Sequence, residues 1–485
     1  MPSSTIAGVH AVPVDVEVDV ASGLPSFAIV GLGDTAVLEA RDRVRSALRA
    51  CGFDFPNAHV TVNLAPAPVR KHGTGFDLPI ALGILAATGQ VPAAVCCAVA
   101  VGELGLDGGV RPVAGLLAHA MAARSRDLPL LVSADALSEV SAVSGVSPRP
   151  VTSLGTLRHG LPAEGRLGPV EHAAPPTGAD FAEVHGQGVA KRALEIAAAG
   201  GLGLLMIGPP GTGKTMLARR FPGILPPLTE SEILETAAVH SVAGLDIEGI
   251  LRGVRPFRTP HHTATTAGLV GGGTPPRPGE ASLAHNGVLF LDELPEFSPA
   301  ALQALRQPLE DGHLTLVRAE GRVRYPARFA LVAAMNPCPC GFLGDPGRAC
   351  TCPAAAIERY RTRIGGPLID RIDITLRVDR VAPSSLLRVP VEESSRCVRE
   401  RVIAARERCA GRGLPASLSG TSLLAACALG EGERKAVEAA ARRHRLSGRG
   451  VTRLLRVGRA IADLADSDRV QTDHVLEASC YRVMV

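Results

Sequence analysis

The segment that most constrains this chain is Gly208-Pro-Pro-Gly-Thr-Gly-Lys-Thr215, which fits the pattern G-x-x-x-x-G-K-[ST] at every defined position. An apolar run at 202–207 precedes it and a helical pattern at 216–220 follows it, so we predict a strand, a glycine-rich loop and a helix in that order. Backbone N–H groups at the start of such a helix bind the phosphates of a nucleotide. The candidate nucleotide-binding residues are Gly208, Pro209, Pro210, Gly211, Thr212, Gly213, Lys214 and Thr215.

Two catalytic carboxylates are predicted downstream of this loop. The run Val288-Leu-Phe-Leu-Asp-Glu293 reads as an apolar strand that ends in two acids. In a P-loop enzyme Lys214 neutralises the β- and γ-phosphates, and the Thr215 hydroxyl and Asp292 hold Mg²⁺. Glu293 would then orient and deprotonate the attacking water. Two acids at a strand end are also typical of a solvated cap, but the upstream loop favours the catalytic interpretation.

A third candidate follows the apolar run 330–334, which predicts another strand and places Asn336 at its carboxyl end. Open parallel sheets collect catalytic polar groups at that edge. A single Asn after a strand is otherwise an ordinary turn residue, so only its place beside the two other motifs favours a role in catalysis.

The length of 485 residues is enough for about three domains. Residues 1–165 alternate Val-rich strands with helical stretches, and residues 166–180 have the Pro- and Gly-rich composition of a linker. Residues 181–380 form a second α/β unit that carries the motifs above, and residues 381–485 read as helical. We therefore predict an α/β chain with an all-helical third domain. The clearest predicted helices are 34–51, 396–409, 431–445 and 450–464.

No secretory signal is evident, because the first 20 residues contain three acidic residues and no Lys or Arg. The uncharged run 78–102 is long enough to suggest a membrane span. A turn signal at 88–92 divides it, however, and predicts a short buried helix followed by a strand at 96–101. We expect a cytoplasmic protein that does not associate with membranes.

Four of the eleven cysteines lie within 15 residues in the pattern C-x-C-x₉-C-x-C, namely Cys338, Cys340, Cys350 and Cys352. Four thiolates suit tetrahedral Zn²⁺, although the spacing within each pair is tighter than the usual C-x₂₋₄-C. Structural zinc is the favoured interpretation. Unmetallated thiols and a redox switch are the alternatives.

The order of these motifs resembles that of the AAA+ ATPases, in which a sensor Asn lies on the strand after the two acids. The segment Gly365-Gly-Pro-Leu-Ile-Asp-Arg-Ile-Asp373 is similar to the one that carries the arginine finger in the magnesium-chelatase branch. The resemblance implies that Arg371 reaches the γ-phosphate of a neighbouring subunit. Ser447-Gly-Arg-Gly450 resembles the sensor 2 stretch, with Arg449 as the charged residue and Arg453 as the alternative. Surface ion pairs are the ordinary role of such arginines.

The resemblance extends over the whole chain. Gly23-Leu-Pro-Ser-Phe-Ala-Ile-Val-Gly-Leu-Gly33, Pro260-His-His-Thr263 and Asn336-Pro-Cys-Pro-Cys340 look like the ComM or YifB family of magnesium-chelatase-like AAA+ proteins. That resemblance implies a ring-forming, hexameric, ATP-driven DNA helicase that extends branches during natural transformation. Its cofactors would be ATP and Mg²⁺, and its partner would be single-stranded or branched DNA.

Two segments are candidates for the channel of such a ring, one between the loop and the acids and the other between the acids and the strand that precedes Asn336. The stretch 255–280 is a Gly-, Pro- and His-rich insert, and 314–325 reads as a hairpin of two alternating strands. The net charge is only +4, so any basic DNA-binding surface must be local. The candidate phosphate contacts are Arg318, Arg322 and Arg324, and a solvated hairpin is the alternative. His261 and His262 are not expected to share a metal, since neighbours in a strand point to opposite faces.

Residues 70–79 and 102–112 resemble the proteolytic domain of Lon-type proteases. That chemistry needs a Ser nucleophile and a Lys of lowered pKa. Gly75 and Leu117 occupy the corresponding positions, so peptidase activity is not expected. This domain is then either a collar that stabilises the ring or contacts DNA, or a fold retained for packing.

Two other functions compete with a DNA motor. A chelatase-type motor would remodel a partner protein, and composition does not separate it from a DNA translocase. A nucleotide switch would only bind its partner. Glu293 and Arg371 argue against the switch, because a switch needs neither a water-activating acid nor an arginine finger.

Overall fold

A computed structural model describes residues 1–165, 179–318, 321–381 and 392–482. The described residues form a mixed α/β structure in which one parallel sheet carries the nucleotide-binding motif. Most of the predicted linker 166–180 lies outside them.

The N-terminal region is built on a four-stranded sheet. Its strands β1 to β4 are Pro2–Ala7, His10–Ala21, Ser26–Val30 and His59–Ala65, in the spatial order β1-β2-β4-β3. Alternation in β2 buries Val14 and Val16 and exposes Asp15, so one face of the sheet meets the core and the other meets solvent. The helix Thr35–Ala50 packs on the buried face and begins at Asp34, whose side chain accepts a hydrogen bond from Val37 N. This confirms the predicted helix 34–51.

The uncharged run 78–102 forms the buried helix Asp77–Ala87 and a strand that is shorter than predicted. Residues Ala93–Cys97 wind into a 3₁₀ helix, so β5 is only Val99–Ala100 and the predicted strand 96–101 is wrong at its start. Strands β6 to β9 are Glu103–Leu104, Val110–Arg111, Leu130–Ser133 and Pro148–Val151, and the remaining helices here are Leu116–Ser125 and Leu137–Ser141. Among the described residues, no helix combines the length and apolar character needed to span a membrane.

The central region contains a five-stranded parallel sheet. This region has seven strands, of which β13 and β14 form a separate two-stranded hairpin and the other five form the sheet. Strands β10 to β16 are Leu204–Ile207, Phe257–Arg258, Val288–Leu291, His313–Arg318, Gly321–Pro326, Ala330–Met335 and Ile374–Arg377. The sheet has the order β11-β12-β15-β10-β16, and every pairing in it is parallel. The carboxyl ends of these strands therefore lie together along one edge, which we call the carboxyl edge, opposite the amino edge.

Helices cover both faces of this sheet. Within β10, Leu204 and Met206 join one apolar cluster and Leu205 and Ile207 join another, because successive side chains point to opposite faces. The helices are Gly188–Gly200, Lys214–Arg220, Glu230–Val242, Glu248–Leu251, Thr266–Val270, Glu280–Leu283, Pro299–Ala304, Arg306–Asp311, Ala354–Thr362 and Gly366–Ile369. Burial on both faces explains the continuous apolar composition of the strands.

The C-terminal region is helical, as predicted, but the described residues contain five helices of more than one turn rather than three. They are Ser395–Glu407, Gly420–Cys427, Glu431–Arg443, Gly448–Leu464 and Thr472–Cys480. The two unpredicted helices, of 8 and 9 residues, are too short to show a clear apolar period. The helix Gly448–Leu464 packs on Gly188–Gly200 and so anchors this region to one face of the sheet.

The N-terminal region contacts the central region at two places. Leu116 and Leu117 share an apolar cluster with Ile233 and Ala237 of the helix Glu230–Val242. Gly8, in the turn between β1 and β2, packs so closely on the β13–β14 hairpin that a Cβ atom there would lie 3.1 Å from Val323 Cγ1. The N-terminal region therefore touches the hairpin directly.

Candidate active site

The glycine-rich loop follows β10 at the carboxyl edge. Gly211 and Gly213 have φ values of 78° and 88°, which side chains with a Cβ rarely adopt. Gly208 is required for a different reason, because a Cβ there would lie 2.2 Å from the carbonyl oxygen of Val378. The sequence pattern of the loop thus matches the backbone conformation that it adopts.

Lys214 is buried within this loop. Its ammonium group donates hydrogen bonds to the carbonyl oxygens of Gly208 at 2.7 Å and Pro209 at 2.9 Å, and to Asn336 Oδ1 at 3.3 Å. Burial lowers the pKa of Lys214, and the charges of Asp292 and Glu293 oppose that change. The loops that follow β10, β12 and β15 therefore all approach the ammonium group of Lys214.

Thr215 and Asp292 form the second contact of the site. The Thr215 hydroxyl donates a hydrogen bond to Asp292 Oδ2 at 2.7 Å, and Asp292 Oδ1 accepts one from the backbone N–H of Glu293 at 3.0 Å. Hydroxyl and carboxylate oxygens are ligands that Mg²⁺ accepts, so this pair fits the donor set that the cation needs.

Glu293 differs from Asp292 in its surroundings. Its backbone has a φ of 51°, in the left-handed region, and its side chain is 56% exposed. Its carboxylate Oε2 lies 3.5 Å from Nδ1 of His262. His262 was not predicted from the sequence as a neighbour of this carboxylate. The only signal for it was its position a few residues beyond a strand of the same parallel sheet.

The predicted arginines lie elsewhere. Asp373 N donates to Gly203 O at 3.0 Å, which places the segment before β16 beside the start of β10, at the amino edge. Arg371 there pairs with Glu310 and is 18% exposed. Because β10 has four residues and is about 13 Å long, Arg371 at the amino edge is separated from Lys214 at the carboxyl edge by the length of that strand.

Arg449 and Arg453 lie beside Arg371, at the start of the helix Gly448–Leu464. Arg449 pairs with Asp370 at 2.9 Å and is 72% exposed, whereas Arg453 is 13% exposed and donates to Ile369 O at 2.8 Å. Arg453 is therefore held by backbone carbonyls, and Arg449 is the accessible one of the two.

Comparison with known proteins identifies the family of this chain. Three family models match, described as Subunit ChlI of Mg-chelatase over residues 16–135, Magnesium chelatase, subunit ChlI over residues 180–386, and Magnesium chelatase, subunit ChlI C-terminal over residues 392–482. YifB of Salmonella typhimurium is 44% identical over 484 residues, which cover 98% of this chain and 95% of that protein. Competence protein ComM of Haemophilus influenzae is 42% identical over 492 residues, covering 99% and 96%. The chain belongs to the ComM/YifB family of magnesium-chelatase-like AAA+ proteins.

In this ComM/YifB family member Cys338 and Cys340 closely follow Asn336 in the chain, and the adjacent Gly341 packs against Pro210 of the glycine-rich loop. All four Sγ atoms are within 4.8 Å of one another, and Cys338 Sγ is 3.4 Å from Cys340 Sγ and 3.6 Å from Cys350 Sγ. A tetrahedral ZnS₄ site has S–S edges of about 3.8 Å. The cluster therefore has the size and the ligands that zinc requires.

The ionisation of these thiols is consistent with a shared cation. Hydrogen bonds from the backbone N–H groups of Phe342 and Thr351 lower the pKa of the Cys340 thiol to about 6. The Cys352 backbone N–H acts in the same direction on Cys350, but burial and the neighbouring thiols raise the pKa of that thiol to about 12. One thiolate thus suppresses the ionisation of the next, and a bound cation would remove that repulsion.

The predicted hairpin 314–325 is confirmed as β13 and β14, paired so that Thr315 faces Arg324 and Val317 faces Arg322. Arg322 and Arg324 are exposed. Tyr325 is buried, and its hydroxyl donates to Pro276 O of the insert at 2.8 Å. The side chain of Arg318 lies outside the described residues.

His261 and His262 were predicted to lie in a strand, and this part of the prediction is wrong. Strand β11 ends at Arg258, so the two histidines lie in a turn rather than a strand, and their ring centroids are 4.1 Å apart. Their side chains are neighbours, and His262 faces Glu293.

Gly75 and Leu117, which the sequence resemblance aligned with a Lon-type nucleophile and base, lie in apolar surroundings. A Cβ at Gly75 would lie 3.3 Å from Val101 Cγ1 and 3.8 Å from Val113 Cγ2. Leu117 is 1% exposed in the cluster that contacts the helix Glu230–Val242. Neither position carries a group that could act as nucleophile or base.

Proposed function

We propose that this chain hydrolyses ATP as a subunit of a cytoplasmic homohexameric ring that acts on single-stranded or branched DNA and migrates branches in recombination intermediates during natural transformation. The observation that carries the proposal is the contact between Thr215 and Asp292 next to Lys214, with Glu293 exposed beside them. The name of the Haemophilus relative, competence protein ComM, supports the link to transformation.

Each polar group of the site has a separate task in this proposal. When bound, magnesium-complexed ATP supplies the γ-phosphoryl group that water attacks. Lys214 binds the β- and γ-phosphates, while Thr215 and Asp292 hold the cation. Glu293 takes the proton from the water. Asn336, 3.3 Å from the Lys214 ammonium, orients the groups around the γ-phosphate.

Assembly into a ring would bring an arginine of the neighbouring subunit to the nucleotide at the carboxyl edge. Arg371 and Arg449 lie at the amino edge of the sheet, whereas the glycine-rich loop of the same chain lies at the carboxyl edge. A γ-phosphate contact made by either residue therefore belongs to a neighbouring subunit. We assign Arg371 as the arginine finger and Arg449, the more exposed of the two lid arginines, as the sensor 2 residue.

The domain assignment follows the same proposal. Residues 1–165 would be a Lon-protease-like collar without catalytic Ser and Lys, residues 181–380 the AAA+ core, and residues 381–485 the helical lid. The contact between Gly8 and Val323 supports a collar that bears on the hairpin.

DNA binding is assigned to the hairpin, and a variant tests it. Replacing Arg318, Arg322 and Arg324 by Ala should weaken DNA binding, because each cation that binds a phosphate releases counterions. Each arginine that binds a phosphate in the wild type contributes about 0.7 to 0.9 to the slope of log affinity against log salt, so the slope should flatten by that amount per replacement. Basal ATPase should survive, because the hairpin is separate from Lys214. Fluorescence anisotropy at several salt concentrations and ATPase assays measure these effects.

The matched control removes charge elsewhere. Arg396 and Arg442 lie on the C-terminal helices with side chains that are 79% and 78% exposed. Their replacement by Ala should leave the salt slope unchanged. If the hairpin variant unwinds branched DNA normally, the DNA-binding surface lies elsewhere, and the 255–280 insert is the next segment to test. If the wild-type protein has no DNA affinity even at low salt with ATP present, remodelling of a partner protein becomes the better function.

The cysteine cluster is proposed as a structural zinc site. Elemental analysis of protein purified without chelators should find about one zinc per chain. The Cys350→Ser, Cys352→Ser double variant should lose it, whereas a Cys96→Ser, Cys97→Ser variant, in which the cysteines lie outside the cluster, should keep it. Because Gly341 packs against Pro210 of the glycine-rich loop, we also expect weaker ATP binding without zinc. A zinc-free, folded and fully active wild-type protein would contradict this.

A further inference from the structure

Arg306, in the short helix Arg306–Asp311, is a half-buried arginine. Its Nε atom is buried and has no hydrogen-bond partner. In the part of the chain that the structure describes, its guanidinium group forms no ion pair with a carboxylate. A charged group that loses water without gaining a partner is unfavourable, so such a cation is expected to meet an anion.

A carboxylate on the same helix is engaged elsewhere. Glu310 follows Arg306 by four positions, a spacing at which side chains of opposite charge commonly pair. Glu310 pairs instead with Arg371, the residue that we assign as the arginine finger. The helix therefore brings Arg306 towards Arg371 and leaves the charge of Arg306 uncompensated.

Arg306 and Arg371 belong to one group of neighbouring cations. Burial lowers the pKa of Arg371, and the nearby charges of Arg306 and Arg449 act in the same direction. Asp370 pairs with Arg449 at 2.9 Å and with Arg453 at 3.4 Å. These four described guanidinium groups thus share Glu310 and Asp370 as ion-pair partners, and the excess of positive charge favours an anion from outside the chain.

Space for such an anion adjoins Arg306. A cavity of about 440 Å³ is lined by Arg306 together with Gln303, Gln307 and Glu310. Asp311 also lines it but is not paired with Arg306. The guanidinium group of Arg306 is therefore open to an incoming group, and its planar set of N–H donors matches the oxygens of a phosphate.

We propose that Arg306 is a second arginine, beside Arg371, that contacts the phosphates of ATP bound to the neighbouring subunit. This role deepens the proposed ATPase function and rests on it. Arg306 lies with Arg371, which is separated from Lys214 of its own chain by the length of β10, so the phosphates belong to another subunit. Charge develops on the γ-phosphate during hydrolysis, and a second guanidinium group stabilises it further. The phosphates of a bound nucleic acid are the other source of the same chemistry.

The test begins with the DNA-free ATPase of the full-length chain. Arg306→Ala should lower kcat about 30-fold with ATP binding unchanged, the effect of removing one hydrogen bond to a charged group. Arg306→Lys keeps the charge without the planar fork and should be intermediate. The unfolding temperature should not fall, because no described partner loses a contact. Arg328→Ala removes an arginine that pairs with Glu235 in the same region, and this matched control should hydrolyse ATP normally.

Mixing experiments show which side of the subunit boundary Arg306 serves. Combined with Glu293→Gln protein, Arg306→Ala protein should regain activity, because some interfaces then carry an intact acid and both arginines. Combined with Arg371→Ala protein, it should not exceed the sum of the two separate activities, because every interface lacks one of the two arginines. Subunit exchange is verified in both mixtures.

A wild-type DNA-free kcat in Arg306→Ala would overturn the assignment, and a flatter salt dependence of DNA binding in that variant would assign Arg306 to nucleic-acid phosphates instead. A clearly lower unfolding temperature, rescue by Arg371→Ala, or no rescue by Glu293→Gln would also overturn it. If Arg371→Ala is impaired and Arg306→Ala is not, the proposed function stands and only the role of Arg306 fails. A wild-type chain without ATPase activity would overturn both.

Discussion

Arg371→Ala is expected to lower kcat for ATP hydrolysis about 10³-fold while ATP binding persists. Arg371 lies at the amino edge, separated from its own glycine-rich loop by the length of β10. Its guanidinium can therefore stabilise the charge that develops on the γ-phosphate only across a subunit boundary. Single-turnover hydrolysis and equilibrium binding of a fluorescent ATP analogue separate these two effects.

Mixing experiments test the assignment across the boundary. Combined with Glu293→Gln protein, the Arg371→Ala protein should regain part of its activity, because some mixed interfaces carry one intact acid and one intact arginine. Arg396→Ala, which removes an exposed arginine from the helix Ser395–Glu407, should hydrolyse ATP normally. Absence of rescue at every mixing ratio, with subunit exchange verified, would contradict the assignment.

Glu293→Gln is expected to bind ATP and to hydrolyse it about 10²-fold more slowly, since a positioned general base contributes that much. Lys214→Ala should instead lose ATP binding, because the buried ammonium group is the cation at the centre of the loop. Isothermal titration and a phosphate-release assay distinguish a binding defect from a catalytic one.

The control for this prediction lies in the same loop. Glu296→Gln removes a carboxylate three residues further along, which pairs with Arg363 and has a side chain 42% exposed. Its hydrolysis rate should be close to that of the wild type. Near-normal turnover in Glu293→Gln would remove Glu293 from the role of general base and leave another group to activate the water.

The residues around Lys214 were predictable because their patterns are local. A glycine-rich loop between an apolar strand and a helix has few backbone solutions, and each glycine is required by its own conformation or by a close approach. The acids at 292–293 and Asn336 followed from one further rule, that parallel strands end at a common edge. The contacts of Lys214 and Thr215 with Asn336 and Asp292 agree with that reasoning.

The helical C-terminal region was predicted less completely. The helices Ser395–Glu407 and Glu431–Arg443 bury residues spaced three to four apart, and Gly448–Leu464 buries Leu454, Leu455 and all of 457–463, so each apolar pattern is visible in the sequence. The helices Gly420–Cys427 and Thr472–Cys480 are two to three turns long. Their stability comes from packing against the longer helices, and the sequence of such a short segment carries little trace of it.

By itself, then, the sequence determined the nucleotide loop, the strand that bears the acids, the cysteine spacing and the family, all of which depend on residues close together in the chain. Only the tertiary structure decided that Arg371 and Arg449 lie at the amino edge of the sheet and that His262 contacts Glu293. His262 lies 31 positions before Glu293, the same offset that pairs Phe257 with Val288 in β11 and β12. Such register is set by long-range pairing and by packing on both faces of the sheet, and neither leaves a pattern in a short stretch of sequence.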